Sequence, residues 1–181
     1  MFDVGKFKST VSRYGVAKPN LYALNITPPP GLPSDPFITE LPLLVTSANL
    51  PGVSLVADGY RHLGYGMNEQ RVNGATLDQL TLTILGDGEG HVLNFFHNWM
   101  QLTHNTDAGA PSSSYGMPYG TSNYPNEYWG TVDLYLYNPA ADVYEQYTFT
   151  DAHPMTVAGV QVGWEMNDQY MQIPISMSYR S

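Results

Sequence analysis

The hydrophobic pattern changes period abruptly within residues 77–102, and the rest of the chain can be read outward from that change. Leu80, Leu82 and Ile84 alternate with Gln79, Thr81 and Thr83, the two-residue period of a half-buried strand. Gly86-Asp87-Gly88-Glu89-Gly90 breaks the alternation and places two carboxylates ahead of a new run, where negative charge favours a helix N-terminus. From His91 the period is helical. Val92, Leu93, Phe95, Phe96, Trp99, Met100 and Leu102 fall on one half of the wheel, and His91, Asn94, His97, Asn98 and Gln101 fall on the other. The pattern predicts a helix at about 90–102 that covers one side of a sheet.

Upstream, Val4, Phe7, Val11 and Tyr14 form a helical stripe with Lys6, Lys8 and Arg13 off it and Gly15 as a C-terminal stop, so residues 1–18 read as a short basic helix or arm. Residues 20–27 read as a strand halted by Pro28-Pro29-Pro30, and 41–48 as a second strand closed by a turn at Asn49-Leu50-Pro51-Gly52. The chain leaves that turn through 53–60 and returns near Leu77. The glycine-rich stretch 59–74 is too long for a tight turn, so 53–77 is expected to project as a hairpin or loop that touches partners. Residues 104–128 form a second long irregular stretch. Beyond it, 131–137 and 143–150 alternate as strands about an Asn138-Pro139 turn. Val160, Val162, Trp164 and Met166 suggest another alternating strand. After Asn167-Asp168-Gln169, 171–179 is the closing strand, with Pro174 placing it at an edge or bulge.

Composition narrows the class. A chain of 181 residues with 17 Gly, 14 Pro, 14 Tyr and only 13% charged residues suits one mainly β domain spanning 1–181. It contains no cysteine, which rules out disulfides and thiolate metal sites. No apolar run approaches the ~20 residues of a membrane-spanning helix, and residues 1–10 lack the apolar core of a signal peptide, so a soluble cytoplasmic product without membrane insertion is expected. The net charge is -9, and its distribution says more than its size. Lys6, Lys8, Arg13 and Lys18 precede the first strand, Arg61 and Arg71 follow, and every formal charge from Val72 to Tyr179 is negative. Such a body argues against ordinary nucleic-acid binding, which needs cations against phosphates.

Candidate chemistry is sparse. His91, His97 and His104 lack the i, i+4 spacing of a helix-borne zinc pair. A calcium loop starting at Asp87 would need glycine where Val92 stands and a carboxylate where Asn98 stands. Asp142 and Glu145 could act as an acid pair, but the surplus of acids makes such pairs common. No catalytic residue, metal or cofactor is assigned.

Five segments, in order, resemble the tail-tube proteins of contractile-tailed bacteriophages: Gly15-Val16-Ala17-Lys18-Pro19-Asn20-Leu21-Tyr22; Ser47-Ala48-Asn49-Leu50-Pro51-Gly52; Leu80 to Leu85 followed by Phe95-Phe96-His97-Asn98-Trp99; Phe149-Thr150-Asp151-Ala152-His153-Pro154; and Ile173 to Arg180. The resemblance implies an antiparallel β-sandwich or β-barrel-like domain flanked by one helix. It also implies homohexameric rings stacked into the inner tail tube, the conduit for DNA ejection, with sheath, baseplate and tail-terminator proteins as partners. DNA would pass through the lumen without specific binding. The protein would belong to the virion, after assembly in the host cytoplasm. Inter-subunit candidates are then Lys6, Lys8, Arg13, Leu50, Pro51, Gly52, Tyr60, Arg61, Tyr65 and Arg71; lumen candidates are Asp133, Asp142, Glu145 and Glu165. The same fold serves a baseplate tube-initiator. From a different class, a carbohydrate-binding β-sandwich would use Tyr115, Tyr119, Tyr124, Tyr128 and Trp129 as a stacking platform.

Overall fold

The computed structural model describes residues 3–15, 18–33, 36–61, 66–108, 115–166 and 169–180. Val16, Ala17, Tyr65, Asn167 and Asp168, named above, lie outside that part, as does the side chain of Tyr14. The strands are β1 (Tyr22–Thr27), β2 (Val45–Asn49), β3 (Val53–Tyr60), β4 (Glu69–Leu77), β5 (Leu80–Leu85), β6 (Gly130–Tyr137), β7 (Val143–Val157) and β8 (Gln172–Ser178). The helices are α1 (Val4–Tyr14), α2 (His91–Thr103) and the single turn α3 (Pro125–Tyr128).

Six strands form one antiparallel sheet in the order β1-β6-β7-β8-β5-β2, while β3 and β4, among the described residues, pair only with each other. The sheet folds over because β7 serves two partners. Its first part runs beside β6, and from His153 it runs beside β8. At Asp151, between the two halves, the backbone enters the left-handed region (φ 54°). Register places like with like across the strands: Leu24 faces Leu134, Ile26 faces Val132, Leu80 faces Met177, Leu82 faces Ile175, and Ile84 faces Ile173. All ten side chains are buried, and they form the apolar floor on which α2 lies.

The period change at 77–102 appears in the structure as read. β5 buries Leu80, Leu82 and Ile84, and α2 buries Val92, Phe95, Phe96, Trp99 and Leu102, leaving Leu93 and Met100 half-buried at its margins. Trp99 is the keystone. Its ring stacks on Phe96 at 6.4 Å and meets Phe95 edge-on at 5.7 Å, while its Nε1 donates to the Tyr128 carbonyl at 2.7 Å. Gly130 is required beside it, because a Cβ there would stand 2.8 Å from the Trp99 ring and 2.6 Å from the Thr27 carbonyl.

Several elements differ from the sequence reading. Residues 41–44 form a 3-10 turn rather than strand, since Pro42 near its start suits a helical turn and removes a ladder donor; the strand begins at Val45. The stretch 59–74 is not all loop: β4 starts at Glu69, so 53–77 is a true hairpin. β7 continues past Thr150 to Val157. Residues 158–166 form no strand, and Val162 and Trp164 are exposed, Trp164 fully. Beyond Val157 the Ala158 N–H still donates to the Pro174 carbonyl, and the Met166 N–H donates to the Gly163 carbonyl in a local turn. β8 is an interior strand, not an edge, and Pro174 stands where its ladder with β7 ends: its carbonyl still accepts from the Ala158 N–H, but it has no N–H to return a bond.

Candidate functional site

The assembly surfaces are built from three elements that the core leaves uncovered. The first is α1. Asp3 caps it by accepting from the Gly5 N–H at 2.9 Å, and Gly15 ends it with φ 74°. Val4 and Phe7 on its apolar stripe are exposed, and Lys6, Lys8 and Arg13 flank the stripe in solvent.

The second is the β3–β4 hairpin, whose two strands are exposed throughout. Its base is closed by Gly52, whose carbonyl accepts from the Asp78 N–H at 3.1 Å; a Cβ on Gly52 would meet the Asp78 carboxylate at 2.9 Å. Leu50, Pro51 and Gly52 thus form the joint from which the hairpin departs. Near the far end Arg71 lies over the Tyr60 ring at 4.3 Å and Arg61 donates to Asn68, so these three candidates are brought together, whereas Tyr65 lies outside the described residues. Opposed residues share a face in an antiparallel pair. Val53, Leu55, Ala57, Val72, Ala75 and Leu77 therefore make one apolar face, and Ser54, Asp58, Tyr60, Glu69, Arg71 and Thr76 lie on the other. The sequence reading missed this face because the ladder slips after Val56, leaving Asn73 unpaired and shifting Val72 off the simple alternation. Asn73 is used there to bond Asp58.

The third element is the segment 158–171, with Val162, Trp164, Tyr170 and Met171 exposed. Glu165 sits in it, off any strand. The four lumen candidates do not share a face. Asp133 lies on the outer face of β6 and accepts from the opposed Thr148 hydroxyl at 2.7 Å. Glu145 opposes Leu136 and so lies on the inner face; it hydrogen-bonds Tyr147, and that bond, helped by burial, holds the Tyr147 hydroxyl pKa above its ordinary value. Asp142 belongs to the turn organised by Asn138, whose carboxamide oxygen accepts from the Ala140 and Asp142 N–H groups.

The aromatic residues of 104–128 do not form a platform. Tyr115 and Tyr128 pack against the core, and Tyr128 meets Trp129 and His153 edge-on. The described part of this stretch is organised by Asn105, fully buried: its Nδ2 donates to the Met117 carbonyl and its Oδ1 accepts from the Asp107 N–H. Among the described residues no group of three or more His, Asp or Glu could hold a metal ion. Among the described residues no helix is long and apolar enough to cross a membrane.

Asp87 confirms the carboxylate expected ahead of α2. It accepts from the His91 and Val92 N–H groups at 2.8 and 3.0 Å. Burial acts to raise its pKa, but these backbone hydrogen bonds outweigh it and hold the carboxyl below the ordinary value. A lowered folded pKa stabilises the fold above the unfolded carboxylate pKa, and the contribution is lost as pH falls through the folded value. Asp87→Ala is expected to cost about 1 kcal/mol at neutral pH. Urea midpoints of the two proteins should converge in acid; a gap unchanged by acid would exclude the charge as its source.

The fold is an antiparallel sheet that folds over and carries α2, with large uncovered elements beside it. It is similar to a chain of the anti-feeding prophage baseplate at 12% identity and TM-score 0.59, covering 92% of this chain and 93% of that one. A chain of the sheath-tube complex of an extracellular contractile injection system, PVC, in the extended state is similar at 11% identity and TM-score 0.56, covering 96% and 93%. A chain of the anti-feeding prophage tube-terminating cap matches at 12% identity and TM-score 0.56, covering 90% and 85%. No curated sequence matches this chain. The chain belongs to the phage tail tube protein family, whose profile matches residues 17–181. It is a structural tail tube protein of the virion, not an enzyme, and nothing favours carbohydrate binding.

Proposed function

We propose that the protein forms homohexameric rings that stack into the inner tube of a contractile tail, and that DNA passes through the lumen without specific binding. Uncovered surface is the observation that carries this. A compact monomer of this mass exposes about 8,700 Å², whereas this chain of 20.0 kDa exposes 12433 Å². The excess, roughly 3,700 Å², is the size of an obligate interface. The six-fold symmetry of the anti-feeding prophage baseplate supports the ring size, and the PVC sheath-tube and terminator assemblies support sheath, baseplate and terminator proteins as partners. Assembly would follow synthesis in the host cytoplasm. Negative-stain microscopy and light scattering of purified protein test the reading: rings and tubes are expected, and a protein monomeric at every concentration and salt would refute it. Likeness to a baseplate chain supports a second role, initiating the tube. Single rings that never extend would favour the initiator.

We read the chain as one domain, 1–181, with a basic arm to residue 18, the hairpin 53–77 and the insertion 104–128. The arm docks on the acidic body of a neighbour. Exposed ion pairs contribute only ~0.2–1 kcal/mol each, but a ring repeats them, and salt screens them. Replacing Lys6, Lys8 and Arg13 with Ala is expected to weaken assembly chiefly at low salt, measured as the concentration at which rings appear. Asp133 on its polar outer face is the best-placed lumen acid of the four. Like charge repeated around a channel centres a duplex and does not hold it. Duplex DNA is therefore expected to bind assembled tubes more weakly than the ~10⁻⁴–10⁻⁶ M of ordinary non-specific binding, without a steep salt slope.

A further inference from the structure

The Met166 N–H donates to the Gly163 carbonyl at 3.1 Å, an i to i+3 bond that sets Trp164 and Glu165 at the tip of a turn. The segment that carries this turn is tied down at both ends. The Ala158 N–H donates to the Pro174 carbonyl at 2.9 Å, the Gly86 N–H donates to the Met171 carbonyl at 2.8 Å, and Val160 packs against the core. Trp164 is nonetheless fully exposed, and Val162 and Tyr170 of the same segment stand in solvent with it. A tryptophan held out in water by an ordered turn suits the anchor of an interface, provided that a pocket takes it. Such a pocket lies between β1 and β2. The two strands flank a cleft of about 760 Å³, within the roughly 300–1,000 Å³ of cavities that bury ring-sized groups. Tyr22 spans it at one point, its hydroxyl donating to the Val45 carbonyl at 3.0 Å. Tyr22, Ala48, Leu50, Leu136 and Tyr144 give the cleft an apolar lining, and Lys18 is the charged residue on its rim.

We propose that Trp164 of one copy seats in the cleft between β1 and β2 of a second copy, with Glu165 set against Lys18 at the rim. Charge selects this occupant among the uncovered elements. Glu165 follows Trp164 at the tip of the turn and is opposite in sign to Lys18, whereas α1 brings Lys6, Lys8 and Arg13 of the same sign, and the apolar face of the hairpin brings no charge. A rim pair of this kind fixes orientation, and the buried indole supplies the affinity. The occupant comes from a second copy because Trp164 stands in solvent on the chain that bears the open cleft. Donating and accepting patches differ, so the contact is head-to-tail, the kind that closes into a ring or runs on as a filament. Glu165, a lumen candidate by sequence, is thereby assigned to a contact between subunits. The inference rests on the assembly reading above and names one contact within it.

Two measurements test it. The chain has three tryptophans: Trp99 is buried, Trp129 half-buried and Trp164 exposed, so seating Trp164 is expected to shift the emission to the blue on assembly. Trp164→Phe keeps a ring for the cleft and should form rings without that shift. Trp164→Ala should raise the concentration at which rings appear about tenfold, with the urea midpoint of the free chain unchanged. The absence of native cysteine allows the second measurement. Val162→Cys and Tyr144→Cys proteins, both substituted at exposed positions, are mixed under oxidising conditions and run on a non-reducing gel, with rings scored by microscopy in the same samples. Tyr124→Cys, exposed in another part of the chain, replaces Val162→Cys in the control. Several-fold more cross-linked dimer is expected from Val162→Cys with Tyr144→Cys than from the control pair. Rings without that preference, or with tryptophan emission unchanged on assembly, overturn the docking and leave the ring reading intact; a Trp164 that faces the sheath would give this result. Neither rings nor cross-links overturns both.

Discussion

Trp99→Ala is expected to lower the stability of the subunit by about 3–5 kcal/mol, the range for deleting a large buried aromatic side chain. Trp99 is fully buried, it touches Phe95 and Phe96, and its indole N–H fixes the Tyr128 carbonyl, so the loss combines packing with one orphaned buried acceptor. The wall beside it is backbone: Gly130 and the Thr27 carbonyl approach too closely to move in and fill the cavity. Thermal unfolding of the isolated subunit should fall by something on the order of 10 °C. A shift of only a degree or two would mean that α2 is not the lid of the core.

The Leu55→Asp, Val72→Asp double variant is expected to do the opposite, abolishing assembly while leaving the subunit as stable as before. Both side chains stand in solvent on the free chain, where substitutions stay within about ±0.5 kcal/mol. In an interface each new carboxylate would be buried without a partner, and the penalty would recur at every repeat of the contact. Analytical ultracentrifugation together with urea unfolding separates the two effects. Rings that persist in the double variant would remove the hairpin's apolar face from the interface.

The elements the sequence announced best are those whose period is enforced by one-sided burial. β5 and α2 stand where alternation and helical spacing put them, because Leu80 to Ile84 and Val92 to Leu102 have a core to face. Strand-like alternation misled at Val160 to Met166, where Val160 packs against the core but Val162 and Trp164 stand in solvent. The same mismatch marks α1, a correct helix on whose apolar stripe Val4 and Phe7 are exposed in the subunit. Periodicity reports that a face is buried, but not which molecule buries it. The hairpin shows a second limit, since a one-residue slip at Asn73 scrambled the alternation from which its face would have been read. Lumen acids were legible in number but not in direction: Asp133 and Glu145 lie on paired strands yet on opposite faces, a matter of register that only the β6–β7 ladder decides.

The strand order also bears on when a subunit becomes competent. β1 finds its partner in β6 and β5 finds one in β8, so pairings made early in the sequence wait for segments made roughly a hundred residues later. Such non-local contacts fold slowly, and the closing loop must form before any of them is rewarded. On the ribosome, therefore, α2 emerges with only the β2–β5 pair and the β3–β4 hairpin formed, and the rest of the sheet waits until β6, β7 and β8 have followed. Nascent or interrupted chains lack β6, β7 and β8 and so offer no complete subunit fold to a growing polymer.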